Sequence, residues 1–131
     1  MEALKIKEKT LFYVPIVTPS NPGFVNLGLK LGTEKLNSYI KNFGFGVKTG
    51  VDLNGEASGI LFNPNTMSIL NTATTAFGQG VSVTAIQQVM AVSAAINGGT
   101  LYKPYIVKSI NEPETNAVIL KNNPQVVRFE Y

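Results

Sequence analysis

The sequence predicts an α+β chain, with helix dominating residues 20–97 and strands towards the two ends. Three observations carry this reading. Apolar residues recur at helical spacing between 24 and 43 and again between 86 and 96. Apolar residues alternate in 4–17, and strand-like runs return from residue 100 onward. The 131 residues are 44% hydrophobic and 15% charged, which suits one domain with a core and is too apolar for disorder.

The elements run in order along the chain. LKIKEKTLFYVPIV at 4–17 reads as one or two strands, with Pro15 marking an edge or an exit. TPSNPG at 18–23 is a turn that starts a helix: Ser20 or Asn21 can cap it, and Pro22 suits its first position. Phe24, Leu27 and Leu31 share one face of that helix, and Gly32 ends it. Thr33 can cap a second helix whose face is Leu36, Tyr39, Ile40 and Phe43. Residues 44–66 have no sustained period, so they form either a functional loop or a wrapping segment. A weak helix is predicted over 66–77, interrupted by Gly78-Gln79-Gly80. Thr84 and Gln87 form a capping box. The helix it opens carries Ile86, Val89, Met90, Ser93 and Ile96, with Ala91, Ala94 and Ala95 on its other faces, so it is predicted to be buried nearly all round. The predicted core is Phe24, Leu27, Leu36, Ile40, Phe43, Ile86, Val89, Met90 and Ile96. TLYKPYIVKSI at 100–110 reads as a strand, NEPETN as a turn, AVILK at 117–121 as the returning strand of a hairpin, and PQVVRFEY as a last strand.

Composition excludes several chemistries. Eleven Lys plus Arg against eight Asp plus Glu give +3, but the basic residues form no run, so no nucleic-acid partner is expected. Without Cys there is no disulfide framework, thiol nucleophile or zinc–thiolate site. Without His, neither Ser-His-Asp nor Cys-His chemistry is available within this chain. No apolar run approaches the ~18 residues of a membrane span, and MEALKIKEK lacks the apolar stretch of a signal peptide. Gly44, Gly46 and Gly50 lack phosphate-loop spacing. Asp52 and Glu56, four apart, are the paired carboxylates that acid–base work or a cation would need. They read instead as surface loop charges, so no metal and no cofactor is expected.

SNPGFVNLGLKLG at 20–32, YIKNFGFGVKTGVDLNGEASG at 39–59 and TATTAFGQGVSVTAIQQVMAVSAAINGGTLYKPYIV at 72–107 together resemble the transpeptidase domain of penicillin-binding proteins. The resemblance is to the class B group of the stage V sporulation protein D and penicillin-binding protein 2 type. It covers residues 21–128, roughly four-fifths of the chain. It implies a fragment of the serine β-lactamase-like fold, mainly its helical subdomain plus terminal strands. It also implies a D,D-transpeptidase of cell-wall or spore-cortex synthesis, acting on peptidoglycan stem peptides and acylated by β-lactams. The family works outside the cytoplasmic membrane on a membrane-anchored protein.

The family's site uses Ser-x-x-Lys, Ser-x-Asn and Lys-Thr-Gly, and acyl transfer runs through a covalent acyl-serine. Ser38-Tyr39-Ile40-Lys41 and Lys48-Thr49-Gly50 match two of these strings, and both read as decoys. Only seven positions separate Lys41 from Lys48, whereas the family sets its motifs far apart with Ser-x-Asn between them. Ser38 is also predicted near the end of a helix, rather than at the N-terminus that favours an anion. Pro19-Ser20-Asn21 aligns with Ser-x-Asn. Asn21 matches the substrate-contacting amide, Pro19 lacks the hydroxyl, and a helix cap is the structural alternative for Asn21 or Ser20. Gly78-Gln79-Gly80 corresponds to a segment near the family's cleft and also fits a turn.

The expected organisation is an unrelated or strand-like 1–18, a partial transpeptidase domain over 19–128 and a tail at 129–131. The nucleophile motif would then lie upstream of residue 20 and the Lys-Thr-Gly strand downstream of 128. Function has three readings: an inactive piece of a transpeptidase, a small acyltransferase using Ser38 and Lys41, and a non-catalytic binding or assembly module. In each, uncovered strand edges predict a homo-oligomer.

Overall fold

The computed structural model describes residues 20–129. The strand-like segment 4–17, Pro19, and Glu130 and Tyr131 lie outside the described residues. The described residues divide into two units, 20–38 with 61–81 and 39–60 with 82–129.

In the first unit, helix α1 (Asn21–Leu31) starts with Pro22 in its first turn and stops at Gly32, whose N–H returns to the Gly28 carbonyl. Helix α2 (Thr33–Asn42) comes at once, residues 33–38 belonging to this unit and 39–42 to the second, with Glu34 in its first turn and Lys41 in its last, as the helix dipole favours. Helix α3 (Ile69–Thr75) is the short helix read into 66–77. It opens on a capping box that the sequence reading missed: Ser68 Oγ accepts from the Asn71 N–H at 3.1 Å, and Asn71 Oδ1 accepts from the Ser68 N–H at 3.0 Å. A single 3₁₀ turn, Pro64–Thr66, precedes it.

Helix α1 packs against α3. The approach depends on Gly28, where a methyl group would stand 2.4 Å from Ala76 Cβ. The buried contacts of this unit are largely polar. Thr33 Oγ1 and Thr72 Oγ1 are 2.7 Å apart, and the buried Asn37 amide donates to the Thr33 carbonyl and to Met67 Sδ. Phe24, Leu27 and Leu36, placed in the core by periodicity, are half-buried.

In the second unit, helix α4 (Ala85–Ile96) opens on the predicted box of Thr84 and Gln87. Its buried face corrects the predicted one. Gln87, Met90, Ala91 and Ala94 are buried, whereas Val89 is 65% and Ile96 81% exposed. No residue of α4 is charged, so two faces satisfy the same period and hydrophobicity alone does not choose between them. The buried face sets Ala91 and Ala94 beside Met90, which packs with Leu101, and Gln87, whose amide is satisfied by the Val47 and Ser58 carbonyls. Met90, Ala94 and Leu101 form the core cluster, with Phe43 packed against it. Ile40, Phe43 and Ile86 are half-buried.

The run at 100–110 is two strands rather than one. β1 (Thr100–Lys103) ends before Pro104, and β2 (Ser109–Asn111) comes after it. β2 pairs antiparallel with β3 (Val118–Lys121) in the predicted hairpin, whose turn places Asn116 at φ 56°. β4 (Gln125–Phe129) returns to pair antiparallel with β1, aligning Leu101 with Arg128. Helix α4 packs on β1.

Candidate functional site

The irregular 44–60 segment is held by three polar anchors, and these place the charged residues that the sequence singled out. The first anchor is Gln87. Its side chain is wholly buried and spent entirely on backbone. Its Nε2 donates to the Val47 carbonyl at 2.6 Å and the Ser58 carbonyl at 2.9 Å, and its Oε1 accepts from the Thr84 N–H at 2.9 Å.

The second anchor is Glu56. Its Oε1 accepts from the Thr49 N–H at 2.6 Å and the Thr49 hydroxyl at 2.5 Å, and its Oε2 accepts from the Gly50 N–H at 3.0 Å. The Thr49 hydroxyl, then the Thr49 and Gly50 amides, with Lys48's charge adding, hold the Glu56 carboxyl below its ordinary range against the opposing effect of partial burial.

The third anchor is Asp52, whose two oxygens accept from the Ile106 N–H at 2.7 Å and the Val107 N–H at 2.9 Å. These two bonds lower its pKa, and Lys103 adds a smaller favourable charge. Asp52, exposed, and Glu56, half-buried, are loop charges as the sequence suggests and not an acid–base pair, but neither carboxylate is free. Each carboxylate closes a loop by satisfying backbone donors that the irregular chain would otherwise leave unpaired. A cavity of about 60 Å³ beside Asp52, bordered by Gly50, Lys103 and Asn122, has room for a water or two rather than a peptide. Among the described residues no group of three acidic side chains could hold a metal ion.

Ser38 and Lys41 both lie on α2 and are exposed. Ser38 stands in the body of the helix, and among the described residues its Oγ shares no hydrogen bond with Lys41 Nζ. A serine nucleophile needs a base within hydrogen-bond reach. Asn21 is the first residue of α1 and is exposed. Ser20 occupies the N-cap position in extended conformation, but its side chain makes no capping hydrogen bond, so its predicted capping role is not realised. Gly78-Gln79-Gly80 lies in the turn that ends α3, where the Gln79 N–H returns to the Thr74 carbonyl. No described helix is long and apolar enough to cross a membrane.

Comparison with known proteins gives this arrangement its context. The chain is 60% identical over 113 residues to stage V sporulation protein D of Bacillus subtilis, covering 86% of this chain and 18% of that protein. It is 31% identical over 109 residues to the penicillin-binding protein PbpB of Mycolicibacterium smegmatis, covering 83% and 17%. The chain thus spans under a fifth of the length of these relatives. Among solved structures, penicillin binding protein 3 of Mycobacterium tuberculosis, in complex with aztreonam, matches with a TM-score of 0.75 and 30% identity, over 83% of this chain and 24% of that one. The fold matched is the mixed helix-and-strand arrangement described above. The family model for the penicillin binding protein transpeptidase domain matches residues 16–129, and over that span this chain belongs to the penicillin-binding protein transpeptidase domain family.

Proposed function

We propose that this chain is part of a peptidoglycan D,D-transpeptidase of cell-wall or spore-cortex synthesis, and that the 131 residues by themselves form no acyl-enzyme. The relationship to stage V sporulation protein D supports the first half. The observation that carries the second is the exposed, mid-helix position of Ser38 with no base bonded to it. Solved relatives are complexed with aztreonam and ampicillin, so β-lactams and the stem peptides they resemble are the ligand class for the larger protein, outside the cytoplasmic membrane. Asn21, exposed on the first turn of α1, is the residue we assign to the substrate-contacting amide of the Ser-x-Asn motif.

Incubating the chain with benzylpenicillin and measuring its intact mass tests the second half. No adduct is expected. A one-to-one adduct that disappears in Ser38→Ala would overturn the reading and make Ser38 the nucleophile. Reading the gene through both sides of this stretch tests the first half: in-frame Ser-x-x-Lys before residue 20 and Lys-Thr-Gly after residue 128 support it. Stop codons on both sides would favour a second reading, a non-catalytic assembly module. The apolar side chains exposed on the β2–β3 hairpin, Ile110, Val118, Ile119 and Leu120, support that second reading and make a homo-oligomer its expected form.

A further inference from the structure

We propose that Lys48-Thr49-Gly50 is a receptor for a small carboxylate, and that the Glu56 side chain is its resident occupant. Three donors converge on one carboxylate: the Thr49 N–H, the Thr49 hydroxyl and the Gly50 N–H. They engage both oxygens, two donors on Oε1 and one on Oε2, which is a bidentate arrangement that a single carbonyl cannot satisfy. Successive backbone N–H groups turned to one side form an anion-binding concavity, and a residue of positive φ is what turns them. Gly50 supplies it at φ 75°, and a methyl group there would also meet Lys103 Cε at 3.3 Å. Lys48 adds positive charge from the chain's own side. Asp52, two residues on, does not compete, because its oxygens are bound to Ile106 and Val107.

Nothing in this set of donors requires the carboxylate to be covalently attached. Tethering only gives Glu56 an effective concentration of at least millimolar order, which keeps free carboxylates out of the intact chain. Removing the Glu56 side chain vacates the site, whose ligand class is acetate, formate or the terminal carboxylate of a peptide.

The test uses the full chain and sodium acetate against sodium chloride at equal ionic strength and pH 7. In Glu56→Ala, acetate shifts the Thr49 and Gly50 amide resonances in a saturable way. Acetate at ten times its Kd also raises Tm by about 5 °C. The unsubstituted chain shows neither effect, because the site is full. The double variant Glu56→Ala, Thr49→Val, which lacks the hydroxyl donor, loses most of the response. An equal response in all three proteins, or Thr49 and Gly50 resonances that stay unmoved in Glu56→Ala, overturns the proposal. Should Glu56→Ala fail to fold in chloride, acetate-dependent recovery of a cooperative melt supports the site. A chain that stays unfolded up to about 0.5 M acetate, roughly five hundredfold above a millimolar Kd, overturns it. Either result leaves the family assignment untouched.

Discussion

Gln87 offers the sharpest perturbation of the second unit. Replacing it with Leu keeps the volume and the helix propensity but removes all three side-chain bonds at once. The Val47 and Ser58 carbonyls and the Thr84 N–H lose partners that now sit at 2.6, 2.9 and 2.9 Å. An orphaned buried polar group costs about 1–3 kcal/mol. The three partners are part-buried rather than sealed, so the low end applies to each and the sum is about 2–4 kcal/mol. That is a large share of the ~5–15 kcal/mol that holds a domain together. In urea, with a slope near ~2 kcal/mol/M, the midpoint should fall by about 1–2 M. Hydrogen exchange at the Thr84 amide should accelerate along with it.

Gln87→Glu adds a control with a sign. Its carboxylate would face two carbonyl oxygens in a wholly buried site, so its folded pKa is raised above the unfolded value near ~4.3. The neutral acid can still donate to one carbonyl. The variant's deficit is therefore smallest below about pH 4 and grows as pH rises through the raised folded value. A Gln87→Leu midpoint within ~0.3 M of the unsubstituted chain, about half a kcal/mol at that slope, would refute the claim that these bonds organise the 44–60 segment.

Asp52 and Glu56 both carry lowered carboxyl pKa values in the folded chain. Their contribution to stability is complete above the unfolded values near ~4 and is lost as pH falls through the depressed folded ones. Tm should be flat from pH 8 to about 5 and fall below about 4. The double variant Asp52→Asn, Glu56→Gln should melt lower at neutral pH with less acid dependence, and an unchanged pH profile would refute the assignment. Met90→Ala, in the core cluster, should cost about 2–4 kcal/mol and Val89→Ala under about 0.5. Equal losses in urea denaturation would return the buried face of α4 to the one that periodicity chose. The exposed hairpin residues Ile110, Val118, Ile119 and Leu120 should bring two copies together. Sedimentation equilibrium at micromolar concentration would contradict this by finding only a 14.1 kDa species.

The helix boundaries were legible because they are written in capping chemistry. Thr84 and Gln87 announce α4, Pro22 announces α1, and Gly32 marks the end of α1. Ser68 and Asn71 announce α3 by the same logic, but Asn at the third position is a weaker signal than Gln or Glu and went unread. The buried face of α4 was not legible. Its sequence AIQQVMAVSAAI contains no charge, and a hydrophobic period points inward only when the opposite face is polar. The partners that select the buried face lie in other segments: the Val47 and Ser58 carbonyls for Gln87, and Leu101 and Phe43 for Met90 and Ala94.

The candidate site divides along the same line. What a residue cannot do is local: with no His and no Cys, whole classes of nucleophilic chemistry fall away, and Ser38 on the body of a helix is a poor nucleophile wherever the helix packs. What a residue does do is relational. Asp52 and Glu56 read as surface charge because sequence shows a carboxylate without its partners. The partners of Asp52 are the N–H groups of Ile106 and Val107, more than fifty residues away, and backbone donors carry no signature in the sequence. The partners of Glu56 lie only six and seven residues back. Even there the clue was a glycine of positive φ, and Gly50 looks no different in sequence from glycines that merely turn the chain. A loop rich in glycine with two isolated carboxylates and no metal ligands is thus better read as a set of backbone donors awaiting acceptors than as a solvated surface. In this chain the acceptors are Asp52 and Glu56 themselves.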